Sequence, residues 1–321
     1  MNSKHSTSKL MIQWGCLYIV VLLGLLPGRS FGQTVKFGVI ADIHQGYLKD
    51  VNHRLQVFLD RVKQEEEIDF IVQLGDFTLN PTPAKSGAFL DIWNSFEGPK
   101  YHVLGNHDMD VANKTQVRAF WGMPENYYSF DLKGFRFIVL DGNHLKDGPN
   151  DYRHYERSNY YSHEGRGHFG AEQLQWFKGQ LASTDLHVVS FSHQRLSGRA
   201  DGPDMRKAID QANAQAGFGK FVLSLNGHGH RDLSERFHQV PYVEIPTAAH
   251  KWDGKPVPYT TVRFAIVTLD AKGTIEIDAH SIAFEYQNKG QGESAVGGFT
   301  DKSFKFTTKP KHAKTASAQR P

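Results

Sequence analysis

Apolar positions along this chain come in short bursts separated by polar turns, and their spacing changes from burst to burst. Val35–Ala41 (VKFGVIA) reads as a buried strand. From Val51 to Gln64 the spacing turns helical, with Val51, Leu55, Phe58, Leu59 and Val62 on one face. Phe70–Leu74 (FIVQL) and Tyr101–Leu104 repeat the strand pattern, and a helix is predicted between them around Gly87–Phe96. Strands alternating with helices predict βαβ units and a mainly parallel sheet. Tyr128–Leu132 and Phe135–Leu140 flank Lys133-Gly134 as a hairpin. A helix over residues 171–182, a strand at His187–Phe191, a helix around Pro203–Ala214 and a strand at Phe221–Leu225 follow. The remainder through His280 is β-rich: Tyr242–Ile245, Val262–Leu269 and Thr274–His280, the last two joined at Lys272-Gly273. No internal repeat is present. Residues 287–300 are rich in Gly and 307–321 in Thr, Lys and Ala, a composition that predicts a mobile tail.

The N-terminus follows a different logic. Lys4, His5 and Lys9 precede an apolar run from Leu17 to Leu26, and Ser30-Phe31-Gly32 then supplies small residues before Gln33. That order predicts a secretory signal peptide over residues 1–32, cut near Gly32-Gln33. The apolar run falls short of the roughly 20 residues of a membrane span, and no second such run follows. The expected product is an exported chain with one domain over residues 33–286, a tail over 287–321 and no transmembrane span. The single cysteine, Cys16, lies inside the signal. The mature chain is therefore expected to lack disulfides, thiolate metal sites and a cysteine nucleophile.

Composition narrows the partners. With 39% hydrophobic and 22% charged residues the chain is an ordinary globular protein. The formal charge of +3 is misleading, because residues 1–32 hold Lys4, Lys9 and Arg29 and no acid. A second basic cluster lies in residues 301–321, and the region between is net acidic. A phosphate-backbone binder needs a broad basic face, so no nucleic-acid surface is expected.

The chemistry concentrates in five short motifs: Asp42-Ile43-His44, Gly75-Asp76, Gly105-Asn106-His107-Asp108, Ser192-His193 and Gly227-His228-Gly229-His230. Each follows directly on a predicted strand, and loops at the carboxyl ends of strands converge on one crevice. Alone, an Asp-X-His or a Gly-Asp is ordinary turn or cap chemistry. Two imidazoles two residues apart serve little purpose in a turn, and all five motifs in order point to one cluster. Carboxylate, imidazole and amide oxygen suit manganese, iron, zinc or cobalt rather than calcium or magnesium. Seven such ligands are too many for one ion and suit two ions sharing a carboxylate, an arrangement that hydrolyses phosphate esters.

The motif set resembles the complete signature of the calcineurin-like metallophosphoesterases, over about residues 34–285. The resemblance implies an α/β fold, a four-layer αββα sandwich of two mixed β-sheets flanked by helices. It implies two divalent or mixed-valence transition metal ions. Asp42, His44 and His230 would bind the first, Asn106, His193 and His228 the second, and Asp76 would bridge them. His107 would contact the substrate phosphate or leaving group as proton donor, with Asp108 orienting its imidazole. A metal-bridging hydroxide would attack phosphorus in line. FGVIAD, QLGD, FRFIVLD and FGAEQLQWF are similar to stretches of the cyclic-nucleotide phosphodiesterase and ADP-ribose/CDP-alcohol diphosphatase branches. Leu79 stands where purple acid phosphatases place a tyrosine ligand, and Gln194 where many members have proline.

The expected substrate is a small phosphate ester, a nucleotide-like phosphodiester or phosphomonoester. A nucleotide-linked diphosphatase and an inactive scaffold of the same fold are the alternatives. Asn143–Gly170 lacks regular periodicity and mixes Arg and His with Tyr, as a substrate-facing loop would. Its Arg153 and Arg157, with Arg195 and Arg199 beyond His193, are candidate phosphate clamps. Other histidines, among them His53, His102, His187, His238 and His280, read as ordinary surface or strand residues. His250 falls after a predicted strand, near the expected pocket, with no ligand spacing.

Overall fold

The computed structural model describes residues 34–198, 200–283 and 298–309. The signal expected over residues 1–32 lies outside them. The chain runs through β1 (Thr34–Ile40), α1 (Val51–Lys63), β2 (Phe70–Gln73), α2 (Pro83–Asn94), β3 (Lys100–His102) and α3 (Lys114–Trp121). The hairpins β4 (Tyr128–Leu132) with β5 (Phe135–Leu140), and β6 (His144–Gly148) with β7 (Asp151–His154), follow. Then come α4 (Ala171–Ala182), β8 (His187–Ser192), α5 (Gly202–Ala216), β9 (Phe221–Asn226), β10 (Leu233–Phe237) and β11 (Val240–Glu244). The short pair β12 (His250–Trp252) and β13 (Pro256–Pro258) leads to β14 (Thr261–Asp270), β15 (Thr274–Ala283) and β16 (Lys302–Lys305).

Two six-stranded sheets result, ordered β16-β15-β14-β1-β2-β3 and β10-β11-β9-β8-β5-β4. Their faces meet over an apolar layer that includes Phe37, Phe70, Phe137 and Phe191. Phe37 and Phe70 stack at 4.6 Å within the first sheet, and Phe37 meets Phe191 of the second edge-on at 5.6 Å. Such aromatic pairs contribute about 0.5–1.5 kcal/mol each beyond area burial. On the outer face of the first sheet, Leu55, Phe58, Leu59 and Val62 of α1 and Trp93 of α2 pack on Ile71, Phe264 and Ile266. On the outer face of the second, Phe177 and Leu181 of α4 and Met205 and Ile209 of α5 cover Ile138, Leu140 and Val188. Helix, sheet, sheet, helix is the expected four-layer order. Gly38 makes the contact with α1 close: a Cβ there would sit 2.7 Å from Cγ2 of Val62.

The sheets are mixed, as the resemblance implies, rather than mainly parallel, as the alternation alone predicts. β1-β2-β3 and β11-β9-β8-β5 are parallel, as the alternation with helices predicts. The chain then returns through hairpins, so β14, β15 and β16 extend the first sheet antiparallel, and β4 and β10 close the second. Residues 298–309 depart from the expected mobile tail. Phe304 and Phe306 pack against the inter-sheet core, β16 pairs with β15, and Asp232 accepts from the Thr300 N–H at 3.0 Å. Here a Lys/Thr-rich composition concealed the apolar alternation of Phe304 and Phe306. Helix α3 was not foreseen; Asn113 and Gln116 close it with a capping box and Gly122 ends it left-handed. Among the described residues no helix is long and apolar enough to cross a membrane.

Candidate metal centre

All five motifs lie at carboxyl ends of parallel strands. Asp42 and His44 follow β1, Asp76 follows β2, Asn106 and His107 follow β3, His193 follows β8, and His228 and His230 follow β9. Parallel strands bring the loops side by side: the N–H of Asp42 donates to the Gly75 carbonyl at 3.1 Å and that of His44 to the Asp76 carbonyl at 2.9 Å. Gly105 lets the loops after β2 and β3 touch, since a Cβ there would lie 2.0 Å from the Asp76 nitrogen. Nine described residues other than glycine have positive φ, and five of them are Asp42, His44, Asp76, His228 and His230. Backbone strain of this kind costs of order 1–3 kcal/mol per residue and persists where surrounding structure enforces it. Here it aims five buried or half-buried side chains at one point.

Two groups of donors form there. In the first, Nε2 of His230 lies 3.2 Å from Oδ1 of Asp42 and 3.1 Å from Nε2 of His44. In the second, Nε2 of His193 lies 3.1 Å from Oδ2 of Asp76, 3.2 Å from Oδ1 of Asn106 and 3.2 Å from Nδ1 of His228. Ligand atoms of Asp42, His44 and Asp76 fall within 4.8 Å of one another, and so do those of Asp76, His193 and His228. Asp76 thus stands between the groups.

The electrostatics call for positive charge. The Nδ1–H of His193 donates to the Leu74 carbonyl at 2.8 Å, which leaves Nε2 facing three acceptors. Burial works to lower the pKa of His193, but Asp76 and Asp42 carry it up to about 10, so a proton is held where a cation would otherwise sit. Burial holds His228 down at about 3, with His193 adding to the effect. His44 is also held well below its ordinary value by burial, against the pull of Asp76. The Nδ1 of His44 and the Nδ2 of Asn106 are buried without a hydrogen-bond partner. A cluster of lone pairs with too few protons fits transition metal cations.

His107 sits 18% exposed at the cavity wall with its Nδ1 bonded to Oδ2 of Asp110 at 2.7 Å. Burial lowers its pKa, and Asp76 and Asp110 overcome that to raise it to about 9. The orienting carboxylate is therefore Asp110, in place of the expected Asp108. Asp108 is wholly buried, and its oxygens accept the backbone N–H groups of Asp76, Phe77, Thr78 and Gly105 at 2.8–3.0 Å. It clamps two loops together and has no oxygen turned to the imidazole. Spacing could have pointed to Asp110, because the turn at His107–Met109 brings residues i and i+3 together.

Of the donors, His44, Asp76, His228 and His230 line a cavity of about 1050 Å³, walled also by Tyr47, Tyr161, His250, Trp252 and Tyr259. The Asn143–Gly170 segment contributes Ser158, Asn159 and Tyr161, but neither Arg153 nor Arg157 lines the cavity. Arg153 pairs with Asp147 and lines a separate cavity of about 650 Å³. Arg157 donates to Gln116 at 2.8 Å, and Arg195 lies 3.7 Å from Glu235 and 3.9 Å from Glu244. Each meets a local acceptor, and none of the three lines the large cavity. Arg199 lies outside the described residues. Aromatic residues replace them at the rim. Trp252 and Tyr161 are 59% and 56% exposed, and ring centroids step from Trp252 to Tyr47 (6.0 Å), to His107 (6.0 Å) and to Tyr161 (6.1 Å).

Residues 35–232 match the calcineurin-like phosphoesterase family. The chain belongs to that family. The family is one of phosphoesterases. Two curated relatives are similar in sequence. The manganese-dependent ADP-ribose/CDP-alcohol diphosphatase of Oryza sativa subsp. japonica is 26% identical over 146 residues, 38% of this chain and 46% of that protein. The chain thus matches less than half the length of the rice relative. A 3',5'-cyclic-nucleotide phosphodiesterase of Nostoc sp. is 22% identical over 259 residues, covering 75% of this chain and 90% of its own. Among solved structures, GAP50, the anchor in the inner membrane complex of Plasmodium, superposes with TM-score 0.52 at 13% identity, over 79% of this chain and 90% of its own. Purple acid phosphatase PPD1 of yellow lupin (Lupinus luteus) does so with TM-score 0.50 at 12% identity, over 85% of this chain and 54% of its own. At these identities the superpositions speak for the fold.

Proposed function

We propose that the chain hydrolyses a small, nucleotide-like phosphodiester or phosphomonoester at a pair of transition metal ions. Asp42, His44 and His230 hold one ion, Asn106, His193 and His228 the other, and Asp76 both. The observation that carries this reading is the pair of donor groups with Asp76 between them. When bound, such ions neutralise phosphoryl charge and lower the pKa of water. Asp42 is fixed for its part by the His228 N–H at 3.0 Å. With its Nδ1–H donated to Asp110 and its pKa raised to about 9, His107 is doubly protonated and passes the Nε2 proton to the departing alkoxide. Tyr155 donates to Asp110 at 2.8 Å and steadies it. The aromatic rim supports a substrate with a base, because stacking on such rings contributes about 1–3 kcal/mol per base.

A nucleotide-linked diphosphatase is the second reading, favoured by the similarity to the rice enzyme and by a cavity of about 1050 Å³. One panel separates them. Metal-stripped protein reconstituted with Mn²⁺, Zn²⁺ or Fe²⁺ is assayed on bis-p-nitrophenyl phosphate, p-nitrophenyl phosphate, cyclic AMP and ADP-ribose. Cleavage of the diesters or the monoester is expected. Turnover of ADP-ribose alone would move the assignment to the diphosphatase, and silence throughout would remove both. Export with cleavage near Gly32-Gln33 belongs to the same proposal, and N-terminal sequencing of the mature protein tests it.

A further inference from the structure

His250 opens β12 and is fully buried, yet neither of its ring nitrogens has a hydrogen-bond partner among the described residues. A buried imidazole left this way costs roughly 1–3 kcal/mol, a penalty that an apolar side chain of similar size would avoid. Its position is not loose. Thr247 donates its hydroxyl to the Asp42 carbonyl at 2.7 Å, and the Ala248 N–H donates to the Ala41 carbonyl at 2.9 Å. On the other side, the Tyr259 N–H donates to the Ala249 carbonyl at 2.9 Å. The segment that presents His250 is thus pinned to the strand end that presents Asp42 and His44.

The ring lies with centroids 4.9 Å from His44 and 5.6 Å from His230. Ligand-capable nitrogens of these three residues fall within 4.8 Å of one another. Two nitrogens bound to one ion at about 2.1 Å are at most about 4.2 Å apart, so small ring rotations bring all three to a common ion. We propose that His250 is a third imidazole ligand of the ion held by Asp42, His44 and His230. This rests on the metal reading above and adds a ligand from outside the five motifs.

The chemical consequence is asymmetry. One position takes three imidazoles with its carboxylates, while the other takes two imidazoles and an amide oxygen. Nitrogen-rich sites favour zinc or cobalt over manganese, so the two positions differ in affinity and in preferred metal.

The test uses the full chain, stripped and reloaded with Zn²⁺ or Co²⁺. Metal per chain is measured by elemental analysis, affinity by competition with a chromophoric chelator, and coordination by the visible spectrum of Co²⁺. In His250→Ala one ion is expected to bind at least tenfold more weakly with an altered Co²⁺ spectrum, while the second stays at wild-type affinity. His250→Asp, which offers a replacement ligand, is expected to recover part of that affinity. Unchanged affinity and spectrum in His250→Ala would overturn the proposal, even if KM rose, since His250 would then be a substrate contact. Failure of the wild-type protein to hold two ions would instead remove the two-ion reading, a separate result.

Discussion

Among the described residues, two clusters offer a carboxylate and two or more imidazoles within metal-ligand distance, and they are built on opposite principles. In the second one, Asp141, His144 and His154 have ligand atoms within 4.8 Å of one another, much like Asp76, His193 and His228. Buried Lys114 engages two of these three residues, Asp141 and His154. Its ammonium ion-pairs with Asp141 and donates to the Asn143 carbonyl at 2.8 Å and to Nδ1 of His154 at 2.9 Å. Burial lowers the pKa of Lys114 while Asp141 supports its charge, and the lysine in turn keeps Asp141 below the usual carboxylate range against the effect of burial. That cluster has its cation covalently attached, whereas the one at the strand ends must take it from solution. Proximity of histidine and aspartate is therefore a poor guide to a metal site; unfilled lone pairs are a better one.

The comparison can be broken in several places. Asp76→Ala should have the largest effect, removing the shared ligand. Metal per chain should fall by half or more, and turnover by roughly 10⁴, about 5 kcal/mol of barrier. Intact metal content by elemental analysis would contradict the bridging role. His107→Gln should keep both ions and lose roughly 10²–10⁴ in kcat; near-normal kcat at saturating substrate would remove the proton donor.

Lys114→Met tests the other side. It strands the Asp141 carboxylate, so denaturant unfolding should show a loss of about 3–5 kcal/mol. Added Zn²⁺ should restore part of that loss in the variant and none in the wild type, because only the variant has three vacant donors. A variant as stable as the wild type would dissolve the contrast.

Trp252→Ala lies further from the ions. KM for a nucleotide substrate should rise roughly tenfold, in line with about 1–3 kcal/mol for base stacking, with kcat and metal content unchanged. Equal KM values would exclude Trp252 from substrate binding. An effect that vanishes at neutral pH concerns a histidine outside both clusters. His102, stacked on Trp121, is held at about 3 by burial, with Lys100 pushing the same way. Its unfolded value is near 6.5, so between about pH 6.5 and 3 the unfolded chain binds the additional proton and stability falls as pH falls, by at most about 1.4 kcal/mol per pH unit. In His102→Gln that part of the stability-pH curve should flatten, as acid-range denaturation would reveal.

The ligand cluster was legible because it depends on local grammar. Each motif sits at the end of an apolar run, and parallel strands leave the loops nowhere else to go. The layered fold was legible for the same reason, and the mixed sheets followed from the resemblance, whereas the alternation of strands and helices alone pointed to parallel sheets because it does not show where hairpins such as β14–β15 dock. Asp108 came from the motif alone, and only the backbone shows that its carboxylate is consumed by N–H groups while Asp110 meets His107. The arginines misled because charge in a loop says nothing of the acceptors it meets, and Asp147, Gln116 and Glu235 were at hand. His250 needed the long-range tie between Thr247 and Asp42 to bring it in.

The pairing of β16 with β15 bears on how this protein can be cut. A truncation after residue 283 would strip a partner from ten-residue β15 and uncover Ile275 and Ile277, both now under 2% exposed. Such a bare, apolar border is a template for self-association. Shortened versions chosen from the family match alone, which stops at residue 232, would discard half of the first sheet and should be expected as inclusion bodies rather than as active enzyme.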